Sequence, residues 1–157
     1  MVIQRWQTVM LLISCIMMAI FSFISLGQIE ATDYSFNITT MGICREGIAT
    51  ESGEATGVST IYQFVVSLLA SILPLIGIFC YRNMKLQKNL IIITILCTVT
   101  VAALVAFGAS NFASAYEANP SWSVFIGTPL VALVADILAY RMIRSDEKKL
   151  RAADRLR

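Results

Sequence analysis

Long apolar runs, each broken by short polar stretches, set the pattern of this chain, and neither helical nor strand periodicity marks a single water-facing side within them. The first run extends from Trp6 to Gly27, and its core from Val9 to Leu26 holds no charged residue. The second is 61–81 ("IYQFVVSLLASILPLIGIFCY"), the third 90–110 ("LIIITILCTVTVAALVAFGAS") and the fourth 122–143. About 20 helical residues cross the roughly 30 Å of bilayer hydrocarbon, so each run is long enough to span. The β-branched richness of "LIIITILCTVTV" would favour a strand in water. In lipid, an open strand leaves backbone groups unpaired, and a barrel would show alternating polarity that these runs lack. The pattern therefore predicts an all-α fold: one membrane domain, 1–157, built as an integral membrane four-helix bundle.

Composition supports this class. Hydrophobic residues make up 57% of the 157 residues and charged ones 14%, with a mean hydropathy of +0.75. A soluble domain carries roughly 45–50% apolar residues.

Charge gives the spans a direction. Arg5 precedes the first run, Arg82, Lys85 and Lys88 lie between the second and third, and Arg141, Arg144, Lys148, Lys149, Arg151, Arg155 and Arg157 follow the fourth. The opposite side has Arg45 alone, with Glu30, Asp33, Glu46, Glu51, Glu54 and Glu117. Positive loops stay in the cytoplasm, so the expected topology is N-in/C-in, with the acidic 28–60 segment outside. Retention of the first run is expected over cleavage as a signal peptide, because its apolar core exceeds the usual 7–15 residues.

The tail, 144–157, reads as a cytoplasmic basic C-terminal helical extension. Asp146 with Lys149 or Leu150, Glu147 with Arg151, and Asp154 with Arg151 and Arg157 have the three- and four-residue spacings that bring helical side chains together. Lys148 and Arg155 add to its positive charge. Two uses follow: anchoring beside anionic head groups, where each basic residue contributes around 1 kcal/mol, and docking a protein partner or homo-oligomer. Nucleic acid is not an expected partner.

The amino-terminal "MVIQRWQT", the four spans and the closing "DEKKLRAADRLR" resemble the small membrane-protein family of Bacteroidota catalogued as domain of unknown function 4293, over essentially the whole chain. The residues carrying the resemblance are Gln4, Arg5 and Gln7, and then Asp146, Glu147, Lys148, Ala153, Asp154, Arg155, Leu156 and Arg157. Val2 and Lys149 depart from its pattern. The resemblance implies a bacterial inner-membrane protein with four helices and no known chemistry.

Candidate chemistry is sparse. The chain lacks histidine, the commonest general base and metal ligand, and shows no phosphate-cradling loop, nucleophile elbow or zinc set. Cys15, Cys44, Cys80 and Cys97 have no CxxC spacing. No enzymatic activity, cofactor or metal is expected. Asp136 is the exception inside a span, where ionisable groups are costly and are functional candidates by default. Tyr140, one turn on, and Arg82 or Lys85, at the end of a neighbouring helix, are its expected partners. Two functions follow: a non-catalytic scaffold or accessory subunit acting through the tail and outer loop, favoured by few polar residues inside the bundle, or a small transporter or channel-like protein using Asp136. Ala102, Ala106, Ser110 and Ser114 form a small-residue ladder expected to face another helix. The 28–60 segment is expected to be a loop folded across the helix ends, with a short extended stretch in "YSFNITTMGI".

Overall fold

A computed structural model of the chain describes residues 2–30, 35–46, 60–80, 83–115 and 119–154, with backbone only at 2–5, 45–46, 119 and 150–154. Four helices, α1 (Val2–Phe23), α2 (Ile61–Phe79), α3 (Met84–Ala115) and α4 (Thr128–Asp154), are long and apolar enough to cross a membrane. α1 packs against α2 and α4, and α3 closes the bundle against the same two helices. The short connection from α2 to α3 makes those two helices neighbours.

The expected spans are found with shifted ends. α1 stops at Phe23 because the backbone of Leu26 is drawn into pairing with Ile38, its N–H donating to the Ile38 carbonyl at 2.8 Å. α3 is longer than the run 90–110, about 48 Å at 1.5 Å per residue, since Gln87, Lys88 and Asn111 are compatible with helix beyond the hydrocarbon. Trp122 belongs to a strand instead of the fourth helix. A 3-10 turn, Val124–Gly127, follows it, and α4 opens on Thr128 with Pro129 in its first turn, where a missing N–H costs nothing.

Where the segment expected to be a loop is described, at 28–30, 35–46 and 60, it is mostly sheet. β1 (Gly27–Glu30), β2 (Ser35–Thr39), β3 (Gly42–Glu46) and β4 (Asn119–Trp122) form an antiparallel sheet in the order β3-β2-β1-β4. In β1 and β2 alternate residues, Gly27 and Ile29, then Phe36 and Ile38, are buried, as the two-residue period of a strand with one covered face requires. Those side chains, with Leu26 and Ile43, pack on Ala109, Ala113 and Phe112 of α3, and the Phe36 and Phe112 rings meet edge to face at 5.2 Å. The sheet is thus a lid on one end of the bundle. Its β2–β3 turn is fastened there: the Thr40 hydroxyl donates to the Ser22 carbonyl at 2.8 Å, and the Thr60 N–H donates to the Met41 carbonyl at 3.0 Å.

Within the bundle the sorting differs from that of a soluble protein. Large aliphatic side chains such as Leu12, Leu69, Leu96 and Leu130 face outward, while Ser14, Ser22, Ser67, Thr94, Thr98, Ala70, Ala132, Ala135 and Ala139 are buried. Lipid is as apolar as leucine, so burial is decided by close packing, which favours small residues. The hydroxyls of Ser22, Thr94 and Thr98 donate to carbonyls four residues earlier on their own helices. This corrects the expectation of few polar residues inside. The expected packing ladder is corrected as well: Ala106, Ser110 and Ser114 are exposed, and the inward stripe of α3 is Ile91, Thr94, Thr98, Val101, Val105, Ala109 and Ala113.

Candidate functional site

The sheet covers one end of the bundle; at the other end, the start of α1, the start of α3 and the later turns of α4 bring charged and polar residues together. Asp146 and Glu147 are successive on α4, so their side chains leave the helix about 100° apart. That divergence sends them to different neighbours. Gln7 of α1 donates through Nε2 to Asp146, and Lys88 of α3 forms an ion pair with Glu147. The two ends of the sequence, 139 residues apart, are thereby joined. Asp146 thus reaches across to α1 and Glu147 to α3, while the side chains of Leu150 and Arg151, expected beside them, lie outside the described residues.

The tail is helical to Asp154 and continuous with α4. Arg151 and Asp154 lie on its last turns. Arg155 and Arg157, like Arg82, lie outside the described residues. Lys148 and Lys149 are exposed. Tyr140, Arg144, Glu147 and Lys148 share one face of α4, and with Lys88 they line an open pocket of about 390 Å³. Sequence reasoning missed Lys88 as a member of this group. Its only signal was its position in the basic run between the second and third spans, which does not say which helix it meets.

Asp136 is fully buried on α4 between Ala135 and the helix's inner face, and neither carboxylate oxygen has a hydrogen-bond partner among the described residues. The polar side chain nearest in effect is Ser14 of α1, whose own hydroxyl is buried and without a hydrogen bond. Among the described residues the expected ties are not made, neither to Tyr140 nor to Lys85, which is exposed; Arg82 lies outside them. Tyr140 turns to the α3 side, among Leu11, Ile91 and Ile143 and beside Lys88. The start of α3 meets α4 at Glu147, through Lys88, and Glu147 lies about 16 Å along the helix from Asp136. Ser14 was not singled out in the sequence, because a lone serine in an apolar span carries no periodic signal.

At the sheet end, Thr39, Thr60, Tyr62, Gln63 and Asn111 join Ile38, Ile43, Val105 and Phe112 around a cavity of about 320 Å³ whose lining, among the described residues, is uncharged. Gln63, buried on α2, donates to the Leu104 carbonyl at 3.2 Å and ties α2 to α3 there. No group of three or more His, Cys, Asp or Glu side chains suited to a metal occurs among the described residues.

Compared with known families, the chain matches one family model, described as Domain of unknown function (DUF4293), over residues 3–156. No curated protein matches it.

Proposed function

The chain belongs to the DUF4293 family, and from that premise we propose that it is a non-catalytic scaffold or accessory subunit of the bacterial inner membrane. In this reading both termini are cytoplasmic, the sheet faces outward, and the basic end of α4 contacts anionic head groups and a protein partner. One observation carries it: Asp146 and Glu147 brace the start of the tail against α1 and α3, so the cations of the tail are held on a fixed helix. A preset orientation lowers the ordering cost of an interaction. The strong bias of Lys and Arg to this end supports its cytoplasmic placement.

The test is affinity purification from native membranes in mild detergent, comparing the intact chain with Lys148→Gln/Arg151→Gln/Arg155→Gln, which leaves both braces in place. The expected result is a stoichiometric partner held by the first and lost by the second. A protein without a partner in both cases would remove the scaffold reading.

Asp136 favours a second reading, a small transporter or channel-like protein. An intramembrane carboxylate without a partner is a functional candidate because its burial is unrewarded by structure. Under that reading Asp136→Asn abolishes flux in proteoliposomes while the protein remains folded.

A further inference from the structure

The pocket between α3 and α4 has a composition that points to a ligand. Tyr140, Arg144 and Lys148 recur at four-residue intervals on one helix face, with Glu147 beside them, and Lys88 closes the group from α3. Three cations and one carboxylate line it. The carboxylate is engaged by Lys88, and the exposed Arg144 and Lys148 stand around about 390 Å³ of open space with no acidic partner among the described residues. A guanidinium and an ammonium beside a phenol form a donor set suited to phosphate, which arginine can grip with two parallel hydrogen bonds.

The surroundings choose between a phosphate free in water and one carried by a lipid. Ile92 and Leu96 lie one and two turns beyond Lys88 on α3, and Ile137 and Val134 precede Tyr140 on α4; all four are exposed. The pocket therefore sits where an apolar outer surface meets the charged end of the bundle. A phospholipid in that position places its phosphate among the cations and its acyl chains along the isoleucines, leucine and valine.

We infer that the pocket formed by Lys88, Tyr140, Arg144, Glu147 and Lys148 is a binding site for the phosphate of an anionic phospholipid. The inference rests on the proposed placement of this end at the inner leaflet, and it turns a diffuse attraction of the tail for anionic lipid into a site of defined residues.

The experiment uses the full-length protein in mild detergent, titrated separately with phosphatidylglycerol, phosphatidylcholine and inorganic phosphate, with bound lipid read by native mass spectrometry. Retention of phosphatidylglycerol in preference to phosphatidylcholine is expected, and inorganic phosphate at equal concentration does not displace it. Displacement by inorganic phosphate, or equal retention of the two lipids, would overturn the inference. Arg144→Gln/Lys148→Gln is expected to weaken retention about tenfold more than Lys85→Gln/Lys149→Gln, which removes the same charge outside the pocket; a surface of independent charges at about 1 kcal/mol each makes the two losses equal. Equal losses would therefore sink the site and leave the cationic contact surface of the proposed function standing. Glu147→Gln, which removes the carboxylate that competes with phosphate, is expected to tighten retention, and weaker retention would count against the site. Loss of the proposed function itself is read separately, by the partner experiment.

Discussion

The two ends of this bundle are built from different materials. At one end, backbone hydrogen bonds of a small sheet and an apolar inner face hold the structure, with a cavity lined by uncharged side chains among the described residues. At the other, side chains reach across between helices: Gln7 to Asp146, Lys88 to Glu147. Backbone pairing with buried apolar contacts secures a fold but offers partners little besides shape. Partly exposed charges contribute little to stability, and their field extends beyond the protein. For the proposed function, the contrast gives the sheet end the stabilising part and the charged end the interacting one.

The comparison breaks most readily at Gly27. A Cβ there would lie 2.5 Å from the Ser121 carbonyl oxygen on the paired strand β4, which cannot withdraw without losing its own ladder. Gly27→Val is expected to cost about 3 kcal/mol by forcing β1 and β4 apart, visible as a lower unfolding temperature in detergent and as faster proteolysis at the sheet. An unchanged stability would mean that the lid contributes little to the fold.

Between the ends lies Asp136, which belongs to neither pattern. A buried carboxyl group without a hydrogen bond lowers stability, so Asp136→Leu is expected to raise it by about 1–3 kcal/mol in the same thermal assay. A fall would show that the carboxyl group is tied into the α1–α4 packing and would remove the basis of the transport reading.

The smallest effect is expected at the charged end. Lys88→Met is expected to change stability by less than about 1 kcal/mol, because the pair with Glu147 is part-exposed, at 20% and 16% for the two side chains, and is screened by salt. A loss as large as that of Gly27→Val would erase the distinction between the two ends.

How much of this could be read from the sequence follows the same division. The helices were legible because about 20 apolar residues have one stable answer in lipid. Their inward faces were not: when both sides of a helix are apolar, a four-residue ladder such as Ala106, Ser110 and Ser114 does not say whether it meets lipid or protein, and here it is exposed. The sheet was nearly invisible. "SFNIT" shows the right alternation, and the stretch around it was expected to be extended, but the strands have four or five residues each. The pairing of β1 with β4 also joins segments separated by two of the helices, a contact that local pattern does not specify. Of the candidate site, the helical continuation to Asp154 is legible in the three- and four-residue spacings, while its braces are not. Spacing within a helix suggested Glu147 with Arg151, whose side chain lies outside the described residues, and gave no sign of Lys88 on the neighbouring helix.

The central claim is that the charged end faces the cytoplasm and the sheet faces out, and a cysteine already in the chain tests it most directly. Cys44, in β3, is exposed at the sheet end, while Cys15 and Cys97 lie within α1 and α3 and Cys80 follows α2 near the charged end. With Cys15, Cys80 and Cys97 replaced by serine, a membrane-impermeant maleimide added to intact spheroplasts is expected to label Cys44 without permeabilisation. Labelling only after the membrane is opened would place the sheet inside and the basic tail outside, and would contradict the account.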